Sequence, residues 1–139
     1  MIPTVFVDTS YWVALFNLRD NARLEAQNLA IEYNDFVWIT TDAVLFETLN
    51  WFSKADAALR VFVSESIEAI IANERIEIVT SGRNWLIATT EFYGKRKDKQ
   101  WSGVDCFSML VMESKGIKDI LTTDKHFQQA GFKVLMLKD

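Results

Sequence analysis

The sequence of 139 residues contains a single cysteine and a single histidine, and these two scarcities exclude several kinds of protein. With Cys106 alone, the chain cannot form an internal disulfide, which fits the reducing conditions of the cytoplasm. With His126 alone, it cannot be a metal-free ribonuclease that uses two histidines as acid and base. It also lacks a glycine-rich loop of the G-x-x-x-x-G-K type, so we do not expect a P-loop nucleotide hydrolase.

Long apolar runs are missing too. The longest, Tyr11–Phe16, has six residues, whereas a membrane-spanning helix needs about 20. No basic residue precedes Arg19 and Asp8 interrupts the early apolar stretch, so we expect no secretory signal, no membrane contact and a cytoplasmic location. No linker, repeat or low-complexity tract divides the chain, and its length predicts one domain over 1–139.

Short apolar segments and helical patterns alternate along the chain. The segments, rich in Val and Ile, predict buried strands at Thr4–Val7, Phe36–Thr40, Ile76–Thr80, Ile120–Thr122 and Lys133–Leu137. Helical patterns cover Asn21–Tyr33, 42–53, Ala55–Asn73, Asn84–Phe92 and Val104–Lys115. This alternation predicts an α/β fold, with an open, mainly parallel sheet and helices on both faces.

Four acidic residues occupy positions where a charge is unusual. Asp8 and Asp124 each end a predicted strand just before a helical segment, whereas Glu47 and Asp105 lie inside apolar helical patterns. Ligands of open α/β sheets bind outside the carboxyl ends of the strands, where Asp8 and Asp124 fall. A carboxylate on an apolar face is costly unless it is paired or metal-bound. Since few basic residues lie nearby in the sequence, the four acids predict a site for Mg²⁺ or Mn²⁺.

Hydroxyl side chains flank the two outer acids. Ser10 and Thr123 could orient a carboxylate or a bound water at such a site. Ser10 could equally be the N-cap of a helix that begins at Tyr11, and the two roles are compatible. Each acid by itself could be a cap, a loop residue or the partner of an arginine, but their joint placement favours a metal site that activates water for attack on a phosphate.

One segment is basic although the net charge of the chain is −4. Lys95, Arg96, Lys97 and Lys99, here called the basic segment, are predicted to form a loop between two helices, just before the part of the chain that carries Asp105. Contacts with phosphate depend on local lysine and arginine, so this segment is a candidate RNA-binding surface. A solvated loop is an equally good interpretation.

The stretches around the four acids resemble those of the PIN-domain ribonucleases, especially the toxin nucleases of VapBC-type toxin–antitoxin pairs. The most specific likeness is Leu121–Phe127 followed by Ala130-Gly131-Phe132; the others are Val7–Ser10, Thr41–Glu47 and Ser102–Asp105. The resemblance implies a three-layer fold and a Mg²⁺- or Mn²⁺-dependent endoribonuclease that cuts single-stranded or structured RNA. It also implies catalytic and metal-binding roles for the four acids, a dimer, and an antitoxin that holds the enzyme inactive.

Two other functions remain open. A metal-dependent phosphatase of the haloacid dehalogenase type also begins with an aspartate after a strand, but it needs a second acid where this chain has Ser10. A module that binds RNA without cutting it would use the basic segment, with Trp101 beside it to stack a base. Such a module would not need Glu47, so the four acids together favour the enzyme.

The apolar content of two helical segments predicts self-association. Ala55–Asn73 and Asn84–Phe92 carry more large apolar side chains than one buried face requires. A domain of this size has limited interior, so part of this surface should meet another chain. A symmetric homodimer is the arrangement we expect.

Overall fold

A computed structural model of the protein describes residues 2–136. Five strands form one parallel sheet in the order β3-β2-β1-β4-β5. They are β1 (Thr4–Val7), β2 (Val37–Thr41), β3 (Ile76–Val79), β4 (Asp119–Leu121) and β5 (Lys133–Val134). The predicted α/β class with a parallel sheet is confirmed.

Helices fill the connections between the strands. They are α1 (Thr9–Phe16), α2 (Arg23–Glu32), α3 (Asp42–Trp51), α4 (Ala57–Ala72), α5 (Arg83–Lys95), α6 (Gly103–Lys115) and α7 (Lys125–Gln129). Four of them begin at side chains that accept a hydrogen bond from the first turn: Thr41 at α3, Asp56 at α4, Ser102 at α6 and Asp124 at α7. Gly116, with a φ of 68°, ends α6 in the left-handed conformation that favours glycine.

Most predicted boundaries differ from the observed ones by one or two residues, and three differences have a clear physical reason or bear on the site. The first helix begins at Thr9, so Ser10 lies within its first turn and is not its N-cap. Helix α5 continues through Gly94 to Lys95, because its backbone hydrogen bonds tolerate a glycine near the helix end. Strand β5 stops at Val134, since its neighbour β4 has three residues and offers partners only at Asp119 and Ile120. Leu137, the predicted end of that strand, lies outside the described residues.

The core lies around the central strand. Val5, Phe6 and Val7 of β1 are completely buried, because β1 has a strand on each side and helices on both faces. Helix α6 contributes the apolar residues Cys106, Phe107, Met109, Val111 and Met112, whereas α5 contributes no buried residue. No helix within residues 2–136 combines the length and the apolar character needed to span a membrane.

Candidate active site

The sheet order explains how acids far apart in the sequence meet. Asp8 directly follows β1, and Asp124 lies in the turn after β4, the neighbour of β1, so both occur at the same edge of the sheet. Glu47 lies on α3, which follows the other neighbour, β2, and Asp105 lies in the first turn of α6. All four acids, with Ser10 and Thr123, line one pocket of about 360 Å³.

Asp8 is the most buried acid of the pocket. The residue is 4% exposed, and the hydroxyl of Thr122 donates a hydrogen bond of 2.8 Å to its Oδ2. Burial raises the pKa of Asp8 to about 7, against the lowering effect of the hydrogen bonds from Thr122 and the Thr9 backbone; the nearby Asp105 and Glu47 raise it further. Without a cation, therefore, the pocket opposes the ionised form of Asp8 at neutral pH.

Glu47 lines the pocket from helix α3. The hydroxyl of Thr9, one residue after Asp8, donates to Glu47 Oε1 and so joins α1 to α3. The prediction that Glu47 lies on a buried helix face was only partly right. Glu47 is half-buried, and Trp51, one turn further along α3, is 57% exposed. Both residues line the pocket, which is open to solvent.

Asp105 and Asp124 are joined by the one histidine. His126 Nδ1 lies 3.1 Å from Asp105 Oδ2 and 3.4 Å from Asp124 Oδ1. Asp105 is held by a reciprocal capping box, in which its backbone N–H donates to Ser102 Oγ and its Oδ2 accepts from the Ser102 N–H. His126 lies in the first turn of α7, between these two acids.

A chain of hydroxyls supports the pocket. Thr122 Oγ1 is 2.9 Å from Ser10 Oγ and accepts from the Asp124 N–H, and Ser10 Oγ accepts from the Thr123 N–H. Ser10 thus belongs to the hydrogen-bond network around Asp8, and its orienting role at a metal site stays a prediction. The threonine hydroxyl that contacts Asp8, however, is that of buried Thr122, whereas Thr123 is exposed at the rim of the pocket. An orienting role of the Thr123 side chain stays a prediction.

Sequence reasoning missed three residues here: Thr9, Thr122 and Asp20. Asp20 lines the pocket as a fifth carboxylate, and its Oδ1 accepts from the Ala22 N–H at the start of α2. In the sequence it is indistinguishable from an ordinary turn residue. Thr122 carried a weak signal, since it is a polar residue within a predicted buried strand.

The basic segment does not line the pocket. Lys95 pairs with Glu91 at 3.4 Å and Lys99 with Asp98 at 3.6 Å, so two of its four charges have acidic partners. Trp101 is 7% exposed and stacks on Phe92, which makes it a core residue, the more common role for such a residue. The segment ends just before Ser102 and α6, and so lies next to the elements that hold Asp105.

The residues of the pocket fit a divalent cation. Five carboxylates line it, and among its described lining residues there is no lysine or arginine to balance them. Asp105, Asp124 and His126 offer ligand atoms within 4.8 Å of one another. Oxygen donors with excess negative charge are the set that hard divalent cations prefer. A cation would also remove the penalty on ionised Asp8.

Comparisons with known proteins agree with this geometry. The model of the PIN domain family matches residues 5–133. The 23S rRNA-specific endonuclease VapC20 of Mycobacterium tuberculosis is 29% identical in an alignment of 136 residues that covers 92% of this chain and 95% of that protein.

Solved structures are similar over nearly the whole chain. The crystal structure of M. tuberculosis VapC20, described as a sarcin-ricin loop cleaving toxin, superposes with a TM-score of 0.82 and 26% identity, covering 97% of this chain and 99% of that one. VapBC2 from Rickettsia felis, bound to a DNA fragment from its promoter, gives a TM-score of 0.66 at 14% identity, covering 94% and 96% of the two chains. FitAcB from Neisseria gonorrhoeae gives 0.67 at 14% identity, covering 94% and 95%. The last two share the fold alone.

Proposed function

This chain belongs to the PIN-domain family, and we propose that it is a divalent-metal-dependent endoribonuclease that hydrolyses phosphodiester bonds in RNA. The observation that carries the proposal is the meeting of Asp8, Glu47, Asp105 and Asp124 in one pocket that no lysine or arginine lines. The likeness to VapC20, a 23S rRNA-specific endonuclease, supports ribosomal RNA as the first substrate to test. Cleavage of ribosomal RNA would take place in the cytoplasm.

The four acids would hold the cation, Mg²⁺ or Mn²⁺, in this pocket. When bound, such an ion lowers the pKa of water and offsets negative charge on the phosphate during in-line attack. The protein's own groups keep the carboxylates in place. Thr122 fixes the orientation of Asp8, Thr9 that of Glu47, and His126 holds Asp105 near Asp124.

An antitoxin is the protein partner we propose. The support is the likeness to VapC20, which is described as a toxin, together with the charge of the pocket. A partner that inserts an arginine toward Asp8 and Asp124 would neutralise the carboxylates and compete with the cation. The expected result is that binding of the antitoxin and binding of the metal weaken each other, which calorimetry with and without Mg²⁺ would measure.

A homodimer would cover apolar surface that the fold leaves open. Val61, Phe62 and Ile71 of α4 and Leu86 and Ile87 of α5 are between 43% and 65% exposed. The predicted excess of apolar side chains on these helices is therefore present at the surface, where it favours association. Sedimentation of the free protein at micromolar concentration should show a dimer, and a monomer alone would reject this assembly.

The catalytic proposal is tested with purified protein and two substrates, intact ribosomes and a single-stranded RNA oligonucleotide. Cleavage should require Mg²⁺ or Mn²⁺ and stop in excess EDTA. Asp8→Asn and Asp105→Asn should each lower the rate by about 10²–10³-fold or more, because each removes charge that acts at the reacting phosphate. Asp35→Asn, an exposed acid outside the pocket, serves as the matched control and should cut normally.

The ends of the products test the mechanism separately. Water as nucleophile leaves no 2′,3′-cyclic phosphate, which mass spectrometry of the fragments detects. Full activity in EDTA, or in either pocket variant, would disprove the metal-dependent nuclease. RNA binding without cleavage under every metal condition would instead support the non-cleaving module.

A further inference from the structure

Trp51 occupies an unusual place for a tryptophan. It is the last residue of α3, 57% exposed, and it lines the acid pocket that holds Asp8 and Glu47. Phe52, buried beneath it, contacts its ring edge-on at a centroid distance of 5.0 Å. The indole is thus a supported aromatic surface at the mouth of the pocket, and an exposed aromatic of this kind is commonly part of a binding site.

Trp51 also lines a second cavity. Its volume is about 710 Å³, and Arg19 and Lys54 lie on its walls. Both cations are exposed, and within residues 2–136 neither side chain has a hydrogen bond or an ion pair. Asp56 is the one carboxylate on these walls, and it accepts a hydrogen bond from the Leu59 N–H of α4.

Because the acid pocket is negatively charged, a polyanion such as RNA needs cations outside the pocket in order to bind. Five carboxylates line the pocket without a lysine or arginine, so a bound divalent cation would leave it close to neutral or negative. The phosphates on either side of the reacting one must therefore find their positive partners outside the pocket. On the side of Trp51, Arg19 and Lys54 are the cations that the adjoining cavity presents.

We propose that Trp51, Arg19 and Lys54 form a subsite for single-stranded RNA next to the acid pocket. A base adjoining the cleaved bond stacks on the Trp51 indole, and the following phosphates bind Arg19 and Lys54. Stacking requires an unpaired base, so this subsite selects single strands and loops over continuous duplex. The inference rests on the proposed ribonuclease function and names the part of the surface that positions its substrate.

The first test separates binding from chemistry. Trp51→Ala should raise the KM for a single-stranded oligonucleotide by about 5- to 150-fold, the range expected for the loss of one base stacked on an aromatic side chain. The kcat at saturating RNA should stay within about 3-fold, since no atom of Trp51 needs to reach the reacting phosphate. The KM of Trp51→Phe, which keeps an aromatic ring, should fall between the KM of the parent and that of Trp51→Ala. Phe46→Ala is the control: Phe46 is on the same helix, 65% exposed and lines neither cavity.

The second test counts the phosphate contacts. In an Asp8→Asn background that does not cut, the affinity for the oligonucleotide is measured at several salt concentrations. Arg19→Ala with Lys54→Ala should reduce the slope of log affinity against log salt by about 1.4, because each phosphate contact on a single strand contributes roughly 0.7. Arg75→Ala with Lys133→Ala removes the same charge at the amino ends of β3 and β5, the opposite edge of the sheet, and should leave the slope nearly unchanged.

The outcomes distinguish this inference from the function on which it rests. If the protein cuts RNA and both sets of variants bind RNA like the parent, the subsite is wrong and the nuclease stands. If the protein cuts no RNA yet loses RNA binding in these variants, the nuclease is wrong and the subsite stands. Unchanged RNA affinity combined with weakened binding of an antitoxin peptide would assign the cavity to the protein partner and overturn the proposal.

Discussion

Helices α5 and α6 have the same length, thirteen residues, and pack against each other, yet they differ completely in burial. Seven residues of α6 are buried, including Asp105, whereas α5 has none and exposes Leu86, Ile87 and Tyr93. The comparison teaches that the buried helix holds Asp105 in the acid pocket, while the peripheral helix leaves apolar surface open to solvent. Loss of stability and loss of binding should therefore follow from different substitutions.

The largest effect should come from removing a buried side chain of α6. Met112 is completely buried, and Met112→Ala should lower the free energy of unfolding by about 2–5 kcal/mol, through lost burial and a residual cavity. Leu86→Ala on α5, where the side chain is 65% exposed, should cost less than about 0.5 kcal/mol in the monomer. Urea denaturation of both variants measures the difference, and equal losses would contradict the assignment of α5 to the periphery.

Asp8→Asn, in the pocket that Asp105 of α6 also lines, should stabilise the metal-free protein. The pKa of Asp8 rises from 3.8 to about 7 on folding, so the folded state binds a proton at Asp8 more tightly than the unfolded state does. Stability should fall as the pH rises from about 4 to 7, and Asp8→Asn should remove this loss. The gain should be near zero at pH 4 and reach up to about 4 kcal/mol above pH 7.

Thermal unfolding in EDTA at several pH values measures this gain. Asp35→Asn, at an exposed position, should show no comparable pH dependence. A gain in the Asp8→Asn variant that is the same at pH 4 and pH 8 would show that burial does not penalise the ionised carboxylate. Saturating Mg²⁺ should reverse the order of stability, because only the parent protein keeps the full ligand set.

Two buried threonines allow an effect on the stability of the fold to be separated from an effect on the acid pocket. Thr122 donates to Asp8, whereas Thr40 donates to the carbonyl oxygen of Val7, and both are completely buried. Each change to valine should cost about 1–2 kcal/mol of stability. Only Thr122→Val should also weaken Mn²⁺ affinity, by about 10–100-fold, because it alone removes a group that orients a ligand. Equal metal affinities in calorimetry would remove Thr122 from the site.

The smallest effect should come from the basic segment at the end of α5. Changing Lys95, Arg96, Lys97 and Lys99 to Ala should weaken RNA binding and flatten its dependence on salt. The decrease should be less than four full phosphate contacts predict, since Lys95 and Lys99 already have acidic neighbours. Metal affinity should not change. Unchanged RNA affinity and salt slope would mean that the segment is only a solvated surface.

Much of this architecture could be predicted from the sequence, and the reasons are physical. Buried parallel strands need continuous apolar residues, so β1 and β4 could be predicted from short apolar segments. Asp8 and Asp124 stood out because a carboxylate just beyond such a strand interrupts an otherwise apolar segment at considerable cost in solvation. The prediction that they lie at one edge of the sheet followed from parallel strand order.

The remaining features depend on contacts that no local pattern records. Thr9 and Thr122 matter because they meet Glu47 and Asp8 across the fold, and a buried threonine by itself fits any strand or helix. Trp51 shares helical spacing with Val44 and Glu47 on α3, which favours a buried position, but it is 57% exposed and lines the pocket. Helical spacing identifies a face of a helix without identifying what covers it.

Because β4 pairs with β1, the pocket can be completed only late in the synthesis of the chain. Asp8 and Asp124 are 116 residues apart in the chain, and a ribosome adding about 5–20 residues each second needs roughly 6–23 s to make both. During that interval β1 can pair with β2, but the edge that later receives β4 stays open and Asp8 lacks its contact with Thr122. While the chain is still attached to the ribosome that makes it, its set of pocket carboxylates is therefore incomplete.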